Sequence, residues 1–474
     1  MFIGLVSQEF GLLRRVSSLW GLGLMLLILT ILAAISGSIR VATLAQTVAE
    51  RADAETAVRS SLVNTLERYT AAGAQGDVPV AAKPGSMGFS VTSAYAAMPA
   101  APLAPLAVGV SDLLPHFYRL DAHGAYSLVQ GGEIENPLNL RVGGFDVAFV
   151  MIFLLPIIVI ALSYDIMSRE KELGVLALIG AQGVRLSTFI AAKVVARGAL
   201  IGLMVVAANV LAIATAVYMG AEWHFGAAAL WVAIAVLYGI VWFALAVLIN
   251  AWGFGSSTNG VMLANIWLVF VIVIPAVVKL AATTLYPAPS RVALTTELRE
   301  AASEADERAA DAREAYMFDH PEMVAADVDQ EIFFRQVALS EQDIAASIEP
   351  QFEAFEDQAR RQAGLMKWLK YSSPALLAND ALAALAGTDR TYHAAFRTAV
   401  LDYHQNWQAF FVQPLLREEL LTSQSWANLP VFDYRPERRY LQNTTISLPI
   451  VVLLVLGFAL VLAGLARYKR YSHI

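Results

Sequence analysis

Six stretches of this chain stay apolar for about twenty consecutive residues, the length that an α-helix needs to cross the hydrocarbon core of a bilayer. Lipid offers backbone groups no hydrogen-bond partner, so such stretches must fold as helices. Only 15% of the 474 residues are charged and 57% are hydrophobic. We therefore predict an all-α polytopic membrane protein with six transmembrane helices and two extracytoplasmic regions, the second mainly helical. The predicted spans are residues 20–39, 147–163, 199–219, 227–249, 261–285 and 446–466.

Basic residues flank these spans on a single side of the membrane if the amino terminus is cytoplasmic. They are Arg14 and Arg15 before the first span, Arg169, Lys171, Arg185, Lys193 and Arg197 between the second and third, and Arg467, Lys469 and Arg470 after the sixth. Both termini are then cytoplasmic. The first span is expected to be an uncleaved signal anchor, since its apolar run is longer than a usual signal core.

This orientation divides the rest of the chain. Residues 1–19 become a cytoplasmic interfacial helix, 164–198 a cytoplasmic segment and 467–474 a cytoplasmic tail. Residues 40–146 and 286–445 lie outside. Abundant Ala and Arg with sparse Lys are typical of a bacterial source of high genomic GC content. We therefore expect the protein in the bacterial inner membrane.

Several functional classes are disfavoured by composition. The net charge of −7 argues against a nucleic-acid partner, and the absence of cysteine removes disulfides and thiolate metal sites. His393 and His404 stand eleven residues apart, about 16 Å along one helix, too far to share a metal. The chain has no G-x-x-x-x-G-K-[ST] loop to hold ATP. No catalytic arrangement is evident, so we do not expect an enzyme.

The two outer regions carry helical patterns. Apolar residues recur every four positions in Thr43–Tyr69, which predicts a helix continuing the first span outward. Residues 126–142 are expected to hold a short strand or two. Helices are predicted at 292–317, 331–351 and 352–371, with Ser340 and Asp343 resembling a capping pair. An apolar, largely aromatic stripe, either a helical core or the site of an apolar ligand, comprises Phe396, Val400, Tyr403, Trp407 and Phe411.

The densest charge cluster directly follows the second span. Asp165 and then the run 169–172 must sit in water or against protein, because charges this close to a span cannot be buried in lipid. The segment is a candidate docking element on one side of the membrane. The alternative is a charged loop that only anchors helix ends at the interface.

At this point the residues resemble a family. The run 170–176, E-K-E-L-G-V-L, is similar to the E-R-E-x-G-T-L signature of ABC-2-type transporter permeases, which lies between the second and third spans and forms a coupling helix. Val175 stands for the usual threonine, and Gln182 stands where proline is common. Segments 102–115, 143–165, 373–389 and 429–437 resemble one branch of these permeases. That branch carries a large external helical domain of uncharacterised function before the last span.

The resemblance implies a transmembrane permease subunit that exports or extracts an unknown substrate. ATP and Mg would be bound by a separate ABC ATPase subunit dimer, and the permease would pair with a second copy or a sister permease. The residues it assigns to ATPase coupling are Arg169, Glu170, Lys171, Glu172, Gly174, Leu176 and Arg185. Glu170, Lys171 and Glu172 would face the ATPase, while Leu173 packs toward the membrane. Two alternatives stay open: transmission of ATP-driven motion to a periplasmic partner without cargo transport, and a membrane sensor without any ATPase.

Polar residues within the spans are costly and either bond across helices or line a pathway. Asn209 and Asn265 are candidates for both roles. Lys279 lies near an outer span end and can snorkel to the surface. Pro275 is expected to kink the fifth span.

Overall fold

The fold is described here from a computed structural model, which covers residues 2–74, 77–111, 114–124, 145–175, 185–287, 330–436 and 444–471, with positions 296, 299, 300, 303, 304, 307 and 308. Within these residues, six helices are long and apolar enough to cross a membrane. The prediction of an all-α polytopic membrane protein is confirmed. Residues 126–142 and most of 292–317 lie outside the described residues.

The helices follow the chain in a simple order. They are α1 (Phe2–Leu13), α2 (Ser17–Ala71), α3 (residues 147–163), α4 (Ser168–Glu172), α5 (Leu186–Tyr218), α6 (Phe225–Asn250), α7 (Ser256–Leu285), α8 (Gln330–Leu369), α9 (Pro374–Ala386), α10 (Arg390–Arg417), α11 (Ser423–Ala427) and α12 (Thr444–Tyr471). Short helical turns occupy Val80–Ala82, Pro84–Ser86, Met87–Val91, Ala104–Leu106 and Lys370–Ser372.

The order of the helices along the chain shows which elements lie at each end of the bundle of spans. We call the end that carries α1, α4, the α6–α7 turn and the last residues of α12 the terminal end. The opposite end, where the long region between α7 and α12 begins, is the domain end. α2 does not stop where its apolar run stops, because the four-residue apolar periodicity of Thr43–Tyr69 continues the same helix to Ala71.

The core of the bundle is built around α6, the most buried of the spans. Its buried aromatic side chains Trp231, Tyr238 and Trp242 pack among α3, α5 and α12. Small buried residues of α5, Ala208 and Ala212 among them, allow close approach of neighbouring helices.

Two spans contain a π-helical turn directly before a proline. In α3 the turn is Val150–Leu154, followed by Pro156, and in α7 it is Leu268–Val273, followed by Pro275. Proline lacks an N–H, so each turn leaves a carbonyl that its own helix cannot bond.

A second core lies at the domain end. The stripe of α10 is buried there from Phe396 to Phe411, against Met87, Phe334 and Trp426. Strands β1 (Ala94–Ala97) and β2 (Phe117–Leu120) pair antiparallel at its edge. The aromatic stripe therefore forms a protein core.

Three details of the predicted organisation differ from the structure. Residues 331–351 and 352–371 form one helix, α8, which passes through Pro350 without a break. Ser340 lies inside α8, where its hydroxyl donates to the Val337 carbonyl at 2.9 Å, so it caps no helix. Helix α9, which falls in the predicted outer region 286–445, packs among the spans.

Candidate functional site

The short helix α4 lies at the terminal end, one turn after α3. Its last residue is Glu172, and Gly174, two residues later, has a φ of +72°, in the left-handed region that favours glycine. The Gly174 amide donates to the Lys171 carbonyl at 3.1 Å, which closes the last turn. Residues 176–184, and with them Leu176 of the predicted coupling set, lie outside the described residues.

Two ion pairs connect α4 and the turn before it to α5. Glu170 forms an ion pair with Lys193, which is 2% exposed and also donates to the Ile166 carbonyl at 3.2 Å. One turn further along α5, Arg197 bonds Asp165 at 2.8 Å. Lys193 thus ties α5 to α4, and Arg197 ties α5 to the α3–α4 turn.

Helix α1 completes this group of charges. The carboxylate of Glu9, which is 6% exposed, lies 3.3 Å from Arg197 and 3.9 Å from Lys193. We call the five residues Glu9, Asp165, Glu170, Lys193 and Arg197 the ion network. Burial of ions is unfavourable unless each is paired, and here two cations are shared among three carboxylates. The network holds α1, the α3–α4 turn and α5 in one arrangement.

Hydrogen bonds also connect α4 to the turn between α6 and α7. Glu172 accepts the Ser256 amide at 2.6 Å and its hydroxyl at 2.9 Å, so a carboxylate sits at the N-terminus of α7, where the helix dipole favours negative charge. Lys171 donates to the Gly253 carbonyl at 2.8 Å. Ser168 bonds Ser256 as well, at 2.8 Å. Consecutive charges of α4 therefore grip different spans.

A buried amide cluster supports the same region from inside the bundle. Asn250, at the end of α6, donates to the Ser163 carbonyl at 3.2 Å and accepts the Met167 amide at 3.4 Å. Asn259 of α7 donates to Asn250 at 3.2 Å. The sequence analysis did not identify Asn250, Asn259 or Glu9 as site residues. Their position, as polar residues near the ends of apolar helices, could have indicated them.

The predicted coupling residues divide into two groups. Glu170 bonds α5, and Glu172 bonds α7, so their carboxylates are turned toward the chain's own spans. Arg169 and Arg185 are exposed, Arg185 at the start of α5. Leu173, directly after α4, is 67% exposed. The exposed residues that a partner could contact here are Arg169, Lys171, Glu172, Leu173, Gly174 and Arg185.

Asn209 and Asn265 occupy different environments. Asn209 is fully buried; it accepts the Trp231 indole N–H at 2.9 Å and donates to the Val205 carbonyl at 2.8 Å. It joins α5 to α6. Asn265 is exposed on α7 and donates to the Val261 carbonyl of its own helix at 2.8 Å. Asn209 thus makes a cross-helix bond, whereas the Asn265 amide bonds within its own helix.

Metal ligation has no support among the residues that the structure describes, since they contain no cluster of three or more His, Cys, Asp or Glu positioned for an ion. His393 bonds the Pro115 carbonyl at 2.8 Å, and His404 bonds the His123 carbonyl at 2.8 Å. Both histidines fasten α10 to the segment around β2.

One further histidine at the domain end is perturbed. Burial, reinforced by the nearby His393 and Arg40, lowers the pKa of His116 to about 4. Its neutral form is therefore the one compatible with the folded domain end.

The terminal end joins α4 to α5 and to the α6–α7 turn by polar contacts. It can transmit displacement, because a force on α4 acts on α5 through Glu170 and on the α6–α7 turn through Lys171 and Glu172.

Comparison with known proteins identifies one region of the chain. A family described as a domain of unknown function, DUF3526, matches residues 291–435, under a third of the chain. No curated protein sequence matches. The matched region includes α8, α9, α10 and α11.

Proposed function

We propose that this chain is the transmembrane permease subunit of an ATP-driven ABC-2-type transporter in a bacterial inner membrane. The terminal end, with both chain termini, faces the cytoplasm. A separate ABC ATPase dimer binds ATP and Mg and docks on α4, and a second permease, identical or related, completes the assembly. The substrate is exported or extracted from the membrane.

The observation that carries the proposal is the fastening of three consecutive charges of α4 to different spans. Glu170 grips α5, while Lys171 and Glu172 grip the α6–α7 turn. A partner that moves α4 therefore moves the ends of several spans together. Coupling then requires that the docked α4 make different contacts in the two states of the transporter.

The test targets the exposed part of α4. The full chain, purified with its native partners in nanodiscs, is expected to carry an ATP-hydrolysing subunit. Leu173→Glu places a charge on the exposed surface without touching the ion network, and we expect it to abolish co-purification of the ATPase. Arg360→Glu, on α8 at the domain end, is the matched control and should retain it. Wild-type preparations without ATPase would contradict the proposal and favour a sensor.

A second candidate function is supported by a different observation. α2 runs unbroken for 55 residues, from the bundle to the second core, where Leu66 is buried. Motion of the spans can thus reach a periplasmic partner without cargo transport. Proteoliposomes distinguish the two functions: ATPase stimulation by a periplasmic partner, with no movement of any lipid or lipid-linked cargo, would favour transmission alone.

A further inference from the structure

The π turn of α7 leaves one carbonyl without a partner in its own helix. The Ile274 amide bonds the Val269 carbonyl, five residues back. The next donor in this pattern would be residue 275, and it would bond the Phe270 carbonyl. Residue 275 is proline and has no N–H, so that carbonyl must find a donor elsewhere.

The depth of this carbonyl makes the missing bond costly. Phe270 lies near the middle of α7, about 20 Å along the helix from Ser256 and from Leu285. Water is absent at that depth in a bilayer, so an unbonded carbonyl is strongly unfavourable. The side chain of Ser373 supplies the donor, with its hydroxyl 2.5 Å from the Phe270 oxygen.

Ser373 reaches this position because the chain between α8 and α9 enters the bundle. Gln362 of α8 bonds the Tyr286 carbonyl at the domain end of α7, and Ser373, eleven residues later, is fully buried at Phe270. We call residues 362–388 the re-entrant hairpin. An ion pair of 2.5 Å between Lys370 and Asp380 compensates two of its three charges.

The returning arm of the hairpin is α9. Its buried face packs in the core of the bundle against α6 and α12 and comprises Ala375, Ala378, Ala381, Leu382 and Leu385. Beyond Gly387, the Thr388 carbonyl accepts the Val110 amide at 2.9 Å. The hairpin is thereby held at its deepest point and at its exit.

Carbonyls in the π turn of α3 also bond donors from other parts of the chain. The Ile152 carbonyl accepts the Tyr238 hydroxyl at 2.9 Å, and the Phe153 carbonyl accepts the Trp267 indole N–H at 3.3 Å. Both donors come from other spans. In α7 the donor comes instead from the region that matches the domain of unknown function.

We infer that the region 291–435 controls the conformation of α7, by supplying through Ser373 the hydrogen bond that Pro275 withdraws from the Phe270 carbonyl. This region then acts on another part of the same chain. Its hairpin stabilises the π turn of α7, and displacement of the region would remove that stabilisation. The inference concerns contacts within the chain and holds whether or not an ATPase binds α4.

The experiment is amide hydrogen exchange on the full chain in nanodiscs. In Ser373→Ala we expect exchange across residues 268–279 of α7 to accelerate about tenfold, the effect of losing one buried hydrogen bond. Because Ser373 also caps α9 by accepting the Ala375 amide, the same substitution is measured in a Pro275→Ala background. There residue 275 has its own N–H, and we expect Ser373→Ala to change exchange in α7 less than twofold.

Two outcomes would overturn the inference. One is unchanged exchange in α7 after Ser373→Ala; the other is an equal acceleration in both backgrounds, which would reduce Ser373 to a helix cap. Asp389→Ala removes the cap of α10, whose Thr391 amide bonds Asp389 at 3.1 Å, and serves as the control that leaves α7 unaffected.

A second measurement does not require the proline variant. The chain has no cysteine, so spin labels can be placed at Val261 and Leu285, both exposed on α7 and on either side of the π turn. Ser373→Ala is expected to broaden the distance distribution between the labels. Identical distributions with and without the serine would refute the inference.

Discussion

Removal of Lys193 tests whether the ion network is a buried, mutually dependent unit. In Lys193→Met the Glu170 and Glu9 carboxylates lose a cation that is only 3% exposed in its side chain. Breaking a buried ion pair by removing one partner costs about 3–5 kcal/mol. Glu170 is 19% exposed and can be partly rehydrated, and Glu9 keeps Arg197 at 3.3 Å, so we expect about 3 kcal/mol.

The assay is unfolding of the full chain in mixed micelles titrated with dodecyl sulfate, followed by tryptophan fluorescence. Lys193→Met combined with Glu170→Leu removes both charges of the pair and should recover most of the lost stability, to within about 1 kcal/mol of wild type. Arg360→Met breaks an exposed ion pair on α8 and should leave the midpoint unchanged. A single variant as stable as that control, or a double variant no better than the single one, would refute the argument.

Four further predictions concern single substitutions. Gly109→Ala should destabilise the chain by about 2–4 kcal/mol in the same titration, since its φ is +56° and an added Cβ would lie 2.4 Å from the Thr388 carbonyl oxygen. Gly174→Ala, with a similar φ but open space around it, should cost only about 1 kcal/mol. The neutral His116 contributes stability that is complete above about pH 6.5 and is lost as the pH falls toward 4, because the unfolded state then binds a proton that the folded state does not. In circular dichroism melts, the stability of wild type relative to His116→Gln should therefore fall between about pH 6.5 and pH 4. Trp407→Ala should cost about 3–5 kcal/mol and loosen the second core, seen as faster amide exchange in α10.

The spans could be predicted because their signal is local. Twenty apolar residues fix a helix whatever surrounds them, and the four-residue periodicity beyond the first span correctly indicated that its helix continues. The prediction of two separate helices in residues 331–371 was wrong. Pro350 lies inside α8, and the helix continues through it.

The contacts of the candidate site were beyond sequence reasoning for a physical reason. The charged run 169–172 was visible, but the direction of each side chain depends on where α5 and α7 lie. Glu9 is 188 residues from Arg197 in the chain. The insertion of α9 depends likewise on the carbonyl left by Pro275, a need created by another helix.

The length of α2 has a geometric consequence. Fifty-five helical residues make a rod of about 80 Å, of which only the first part lies within the bundle. Leu66, in the second core, stands about 54 Å along the axis from Thr30 near the middle of the apolar run. A rotation of about 5° around Thr30 would move Leu66 by about 5 Å, roughly one helical turn. The rod is thus a lever arm, and a small tilt in the membrane becomes a displacement large enough to repack side chains outside it.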